Sequence, residues 1–303
     1  MTGATGFIGS HLCRALCRNR AEVHAVSRRW HAGDDLQWWQ ANLTDIGTVR
    51  KLLTDIRPKI IFHLSGHVTA APNLEFALST FESHVVSTIY LLATATEIGC
   101  ERIVLTASLT EPQGDYAKPV PSSPYAAAKW ASSGYARMFH ALYQTPVTIV
   151  RPFMTYGPMQ NPKKIIPYVT LSLLRNEVPQ LASGGWEADW VYIDDVIEGL
   201  LAAVAASSVA GCTIDLGSGT MVPVREVVSH LIQLTGGRIT PSFGALPDRP
   251  AEEIRTADLV YARKTIGWQP AVTLEDGLAR TVAWYREQLL TSKSSDNQKE
   301  ILQ

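Results

Sequence analysis

Short apolar runs alternate with amphipathic stretches through the first two-thirds of the chain. The runs are EVHAV (22–26), KIIFHL (59–64), RIVLTAS (102–108) and VTIVRPF (147–153). Around them, apolar residues at helical spacing mark stretches near 7–19, 45–55, 76–98 and 123–144. Strands alternating with helices of this kind predict an α/β fold, a doubly wound parallel sheet covered on both faces. Ligands then bind at the carboxyl ends of the strands.

After about residue 155 the pattern loosens. IIPYVTLSLLRNE reads as a helix, WVYI as a short strand, and DDVIEGLLAAVAA as a helix with Asp194 near its start. VREVVSHLIQLTGG is a helix stopped by glycine, and Thr273 caps a last one. The expected organisation is a nucleotide domain over 1–155 and a smaller, partly interleaved α/β substrate domain over 156–290. Residues 291–303, TSKSSDNQKEILQ, are polar and expected to be a flexible tail.

Composition narrows the functional classes. The 303 residues are 46% hydrophobic and 18% charged, with a net charge of −1. That balance gives no basic surface for nucleic acid or an anionic membrane. No apolar run approaches the length of a bilayer span, so no membrane helix is expected. Cys13, Cys17, Cys100 and Cys212 lack metal-ligand spacing, and no metal site is expected. Cys13 and Cys17 share a helix face as core residues. A reducing, cytoplasmic setting is expected.

The chain opens MTGATGFIG. Gly3, Gly6 and Gly9 have the spacing of a phosphate-binding turn between a strand and a helix. Gly3 permits a tight turn, Gly6 a close approach of backbone to pyrophosphate, and Gly9 close helix packing. Phe7 and Ile8 lie in the same turn, whose helix N-terminus favours anions. Such a turn follows a central buried strand, yet one residue precedes Thr2 here. The expected first strand is therefore truncated, with its residues upstream of Met1. At the end of the next run, Ser27, Arg28 and Arg29 replace the acidic residue that binds a ribose hydroxyl in NAD sites. A hydroxyl and two guanidiniums suit a 2′-phosphate, which favours NADP, with NAD as the alternative.

SSPYAAAKWASS places Tyr125 and Lys129 one helical turn apart. A cation beside a phenol favours the phenolate and is expected to lower its pKa from about 10. Tyr125 is then a candidate acid/base, and Lys129 its partner and a ligand for the nicotinamide ribose. Ser108 ends the third run, where its hydroxyl can hold a reacting substrate oxygen.

Taken together, these residues resemble the extended short-chain dehydrogenase/reductase family, in its nucleotide-sugar epimerase/dehydratase branch. TGATGFIGSHL, IIFHLSG (60–66), TAS with Ser108, YAAAK, RPFMTYGP (151–158), DWVYIDDV (189–196) and IGWQPAVTLEDGLARTVAWY (266–285) carry the resemblance. It implies a Rossmann-type dinucleotide domain, a Ser108–Tyr125–Lys129 catalytic set, and cofactor contacts from Leu64, Ser65 and Gly66. Asn42, beside Leu43, stands where the family usually has an aspartate near the adenine. Arg249 matches an arginine that contacts the sugar-nucleotide diphosphate. Candidate substrate contacts are His67, Ser108, Thr110, Glu111, Met154 and Arg249. Three departures stand out. Met154 and His84 each replace a usual asparagine, and Ala188–Asp189 replaces Arg–Asp and removes one diphosphate contact.

The resemblance implies hydride exchange at a nucleotide-sugar through a 4-keto intermediate. Dehydratases of the family place Asp–Glu after the serine; here Leu109 and Thr110 follow Ser108, and Glu111 comes one place late. The arginine pair favours a keto-sugar reductase. The alternative is an epimerase, ahead of a dehydratase or an inactive dinucleotide sensor. In the family, helices near 76–98 and 123–144 form a homodimer interface. Ala126, Ala127, Ala128, Ala131 and Tyr135 on the second suit such packing.

Overall fold

The computed structural model describes residues 1–31, 36–69, 71–112, 120–248 and 254–301. The glycine turn leads into α1 (Phe7–Arg18), β1 (His24–Ser27), β2 (Gln37–Gln40), α2 (Ile46–Ile56) and β3 (Ile60–His63). A long helical segment follows: α3 (Phe76–Thr80), a π-helical stretch (Phe81–Val86) and α4 (Ser87–Ile98). Then come β4 (Arg102–Thr106), α5 (Pro124–Tyr143) and β5 (Val147–Pro152). The elements expected from the four apolar runs are therefore present.

The strands β3–β4–β5–β9 form a parallel sheet, where β9 is Thr213–Leu216. Strands β1 and β2 pair in parallel beside it. Thr2 joins the two parts, bridging Val26 on one side and His63 on the other. Its amide donates to the Phe62 carbonyl at 2.9 Å, and the Val26 amide donates to the Met1 carbonyl at 2.9 Å. Met1 and Thr2 thus occupy the lane expected of the first strand.

Period-two alternation explains why both sheet faces are apolar. On β4, Ile103 and Leu105 point into one core with Leu91, Leu92 and Ile149. Val104 points into the other, with Leu12, Val150 and Ile214. Strands covered on both faces read as continuous apolar runs, which is how the sequence shows them.

Local chemistry sets the helix ends. Asp45 caps α2 by accepting from the Gly47 amide at 3.0 Å. Ser123 caps α5, accepting from the Ala126 amide at 3.2 Å, and Pro124 fills the first helical position.

The smaller part holds β6 (Met154–Tyr156), α6 (Ile165–Leu174), β7 (Gln180–Leu181), β8 (Glu187–Tyr192), α7 (Ile193–Ala205), β10 (Met221–Pro223), α8 (Val224–Thr235), β11 (Ser242–Phe243), α9 (Leu259–Ile266) and α10 (Leu274–Ile301). Strand β8 pairs antiparallel with β10 and parallel with β6. The interleaving is explicit: β9 comes from late in the chain yet completes the large sheet. Gly236, at φ 108°, ends α8, and Thr273 accepts from the Asp276 amide at 3.2 Å at the start of α10.

Asp194 lies in the first turn of α7, near the helix start as expected, with Tyr192 at the N-cap position. Two observations bear on the other expectations. Helix α10 continues to Ile301, through most of the stretch expected as a flexible tail. By length and composition alone, Phe76–Ile98, 23 residues of mean hydropathy 1.2, could cross a membrane, although no such span was expected. In this fold it packs against α2 and α5 and buries Thr80, His84, Ser87, Thr88 and Thr94.

Candidate active site

The glycine turn has the shape a pyrophosphate needs. Gly3 sits at φ 71°, and a Cβ there would fall 2.7 Å from the Leu64 carbonyl carbon. A Cβ on Gly9 would fall 2.0 Å from the Gly3 carbonyl oxygen, so the helix packs at a distance only glycine allows. The N-cap of α1 is Gly6, which offers no side-chain acceptor to the first N–H groups. Those groups and the positive end of the helix face the loop, an arrangement suited to phosphate. The residues present therefore fit a dinucleotide.

At the carboxyl end of β1, Arg28 and Arg29 are exposed, and the Ser27 hydroxyl accepts from the Arg29 amide at 3.2 Å. Beyond β2, exposed Asn42 turns its Oδ1 to the Thr44 amide at 3.2 Å, and Leu43 is buried beneath. At the end of β3, the Ser65 amide donates to Thr2 Oγ1 at 3.3 Å, which ties Leu64–Ser65–Gly66 to the glycine turn.

Behind this edge lie two buried histidines. His63 is held by Thr2 Oγ1 at 2.8 Å and Thr88 Oγ1 at 3.1 Å, one on each ring nitrogen. His84 sits in the π-helical stretch, and its Nε2 donates to the His67 carbonyl at 3.0 Å. A carbonyl only accepts, so the proton of neutral His84 is on Nε2. Gly66 leaves room for this ring: a Cβ would fall 1.9 Å from His84 Cε1. The ring meets Tyr125 edge to face at 5.2 Å. Burial first, then the Lys129 charge, pushes both histidines down to about 3.

Ser108, Tyr125 and Lys129 come together where β4 ends against α5. Ser108 stands beside the Tyr125 phenol and shares a 2.9 Å hydrogen bond with Thr110 Oγ1. Lys129, 6% exposed, donates from Nζ to the Thr106 carbonyl at 2.7 Å. Burial lowers its pKa to about 8, and the charge of Glu111 opposes that shift. The phenol behaves otherwise than the Tyr–Lys spacing predicts. Burial raises Tyr125 to about 12; Ser108 opposes this weakly, and the Glu111 charge adds to it. Desolvation here outweighs any gain from a nearby cation.

Glu111 is 1% exposed and accepts from the Ser108 amide at 2.8 Å. It is thus a buried partner of the catalytic loop, where the sequence reading offered a substrate contact or a loop charge. His67 is exposed, its amide donating to Ser83 Oγ at 3.2 Å. Met154 begins β6 and is half-buried. Arg249 lies outside the described residues.

Sequence reasoning passed over three groups. Arg255 donates to the Leu109 carbonyl at 3.0 Å and lies over the Phe153 ring, bracing the loop after Ser108. Arg151 pairs with Asp215 at 2.7 Å between β5 and β9. Asp189 is buried and accepts from the Ser218, Gly219 and Ala257 amides at 2.5, 3.0 and 2.9 Å. A charge inside the run RPFMTYGP was the available sign for Arg151, and Asp189 showed only as half of Ala188–Asp189; a lone arginine such as Arg255 gives none. Among the described residues, no group of three or more His, Cys, Asp or Glu side chains could hold a metal ion.

A nucleotide-binding α/β sheet with a Ser–Tyr–Lys set at its carboxyl edge defines a dinucleotide-dependent enzyme. The chain belongs to the NAD-dependent epimerase/dehydratase family, whose model matches residues 1–217, and so to the extended short-chain dehydrogenase/reductases. It is 28% identical to a UDP-glucose 4-epimerase of Mycolicibacterium smegmatis, over 94% of this chain and 97% of that one. It is 25% identical to a dTDP-glucose 4,6-dehydratase of Haemophilus influenzae, over 97% and 98%. Among solved structures, it resembles UDP-glucuronic acid 4-epimerase from Bacillus cereus in complex with UDP-glucuronic acid and NAD. That likeness has a TM-score of 0.84 at 25% identity and covers 95% of this chain and 98% of the other.

Proposed function

We propose that this protein is a nucleotide-sugar 4-epimerase, in place of the keto-sugar reductase favoured by the sequence. The observation that carries this is the Ser108–Tyr125–Lys129 set in a chain with full-length similarity to 4-epimerases. Dehydration is disfavoured because Leu109 and Thr110 follow Ser108, and the Glu111 carboxylate faces the Ser108 amide.

When bound, the nicotinamide supplies reversible hydride acceptance at a sugar carbon. The phenolate of Tyr125 takes the proton of the reacting hydroxyl and, as the phenol, returns it to the 4-keto sugar from the same position; burial favours the phenol, the form that holds the proton while the sugar is a 4-keto species. Ser108 orients the oxygen. Lys129, drawn down to about 8, is the group able to change charge near neutrality. Gly3, Gly6, Phe7, Ile8 and Gly9 hold the pyrophosphate, and Leu64, Ser65 and Gly66 line the cofactor edge. His67, Thr110 and Met154 face the sugar nucleotide.

The test is incubation with NAD or NADP and UDP-glucose or UDP-glucuronic acid. The expected result is the C4 epimer with no net change in dinucleotide. A reductase remains the second reading, carried by the exposed Arg28–Arg29 pair. It requires one NADPH oxidised per keto-sugar consumed, so stoichiometry separates the two.

The functional unit in this reading is a homodimer. Leu78 and Phe81 on the long helical segment, and Trp130 and Tyr135 on α5, expose large apolar side chains on the two helices that would form the interface.

A further inference from the structure

The carboxylate of Glu111 is buried in a site otherwise lined by cations and neutral groups. Lys129 and Tyr125 face it from α5, Arg151 from β5, and Ser133 stands beside it. Arg151 already has Asp215 as partner at 2.7 Å. Lys129 has no such ion pair among the described residues; its ammonium donates to the neutral Thr106 carbonyl. Around Lys129, His63 faces it from β3 and His84 from the π-helical stretch, both neutral. Among the described residues Glu111 is the acid acting on the Lys129 ammonium, and it is fixed in place through both Ser108 backbone groups. Its Oε1 accepts from the Ser108 amide at 2.8 Å, and its own amide donates to the Ser108 carbonyl at 3.2 Å.

We propose that Glu111 is a positioning residue for the reaction: its buried carboxylate clamps the Ser108 loop beside Tyr125 and lends its charge to Lys129. The inference rests on the catalytic reading of Ser108, Tyr125 and Lys129, but not on which sugar is the substrate. A buried ammonium without a counter-ion gives up its proton more readily. Loss of the Glu111 charge therefore shortens the pH range over which Lys129 is charged. The carboxylate opposes that loss; burial raises its own pKa, and the Ser108 amide and then Arg151 work against that rise.

The test is Glu111→Gln, which keeps an acceptor for the Ser108 amide and removes the charge. Two profiles are measured from pH 6 to 10. One is NAD affinity, which needs no sugar; the other is kcat/KM for epimerisation. In both, the pH at which the alkaline decline begins is expected to fall, with Glu111→Asp returning it toward wild type. Superimposable wild-type and Glu111→Gln profiles overturn the proposal. A shifted NAD profile without epimerisation supports Glu111 and defeats the epimerase reading instead. If Glu111→Gln does not fold, Glu111→Gln/Lys129→Met decides: removing both charges is expected to restore folding, and failure to do so overturns the pairing.

Discussion

Lys129 donates its ammonium to the Thr106 carbonyl at 2.7 Å, so the last residue of β4 and the first turns of α5 are bound together. Tyr125 lies one turn earlier, and this anchor sets it beside Ser108. The same arrangement dries the phenol and raises it to about 12. Proton transfer from substrate therefore depends on Tyr125 itself. Tyr125→Phe is expected to lower kcat by about 10²–10⁴-fold, the usual range for a lost acid/base group. Dinucleotide affinity should change little. Steady-state kinetics and a fluorescence titration with NADH check both halves.

Gly9 tests the phosphate turn. An alanine methyl at this position would meet the Gly3 carbonyl oxygen at 2.0 Å, and a carbonyl of the turn cannot swing aside as a side-chain end can. Gly9→Ala is expected to destabilise by about 1–3 kcal/mol, as overpacking does. It should also abolish measurable dinucleotide binding. Urea unfolding and calorimetric titration report the two effects separately.

Much of this was legible because the relevant signals are short-range. Apolar runs with glycine and capping residues locate β3, β4, β5, α2 and α5 closely, and Tyr125 and Lys129 meet because a helix has a fixed period. What was not legible depends on long-range packing. Thr2 gains its place only from two strands that lie 24 and 61 residues away. His84 could be noted as an unusual residue, but its ring is aimed by a π-helical register that the sequence does not mark. Glu111 read as a candidate substrate contact. It is buried because the loop after β4 folds back over the sheet and Arg255 braces it from the substrate domain. The Tyr125 shift was mistaken because spacing reports a cation's nearness and says nothing of desolvation.

The buried histidines predict acid sensitivity. His63 and His84 ionise near 3 in the folded protein against an ordinary 6.5, because burial penalises the imidazolium. The unfolded chain therefore binds protons first, and stability falls as pH drops from 6.5 toward 3. Each group contributes at most about 1.4 kcal/mol per pH unit in that window. His84→Gln keeps a donor for the His67 carbonyl and removes one of the two protons. The expected outcome is a shallower loss of stability between pH 6 and 4, read from urea unfolding at each pH. An unchanged slope would show that His84 is already able to ionise in the folded state.

The proposed dimer is tested at Tyr135. This side chain is 41% exposed on α5, and Trp130 on the same helix is 37% exposed. A carboxylate placed in an apolar helix–helix contact loses its water without gaining a partner. Tyr135→Glu is expected to give monomers at micromolar concentration where wild type sediments as a dimer, with the circular dichroism spectrum unchanged. Wild-type monomers at that concentration would remove the dimer from the proposal.

The choice of dinucleotide is tested at Arg28 and Arg29. Both are exposed at the end of β1, the strand beside the glycine turn, where an adenine ribose lies in this fold. A 2′-phosphate there would meet two guanidiniums and the Ser27 hydroxyl; among the described residues from Ser27 to His31, a free 2′-hydroxyl would meet no acid. Charge-assisted hydrogen bonds contribute about 1.5–3 kcal/mol each, so NADP is expected to bind at least tenfold more tightly than NAD. Arg28→Ala/Arg29→Ala should erase that ratio chiefly by weakening NADP, and raised salt should shrink it, as exposed charges are screened. Equal affinities of the wild type for both dinucleotides would leave the arginine pair solvated and make NAD the working cofactor, as it is in the Bacillus cereus complex. Isothermal titration of both proteins with both dinucleotides, at two salt concentrations, separates these outcomes.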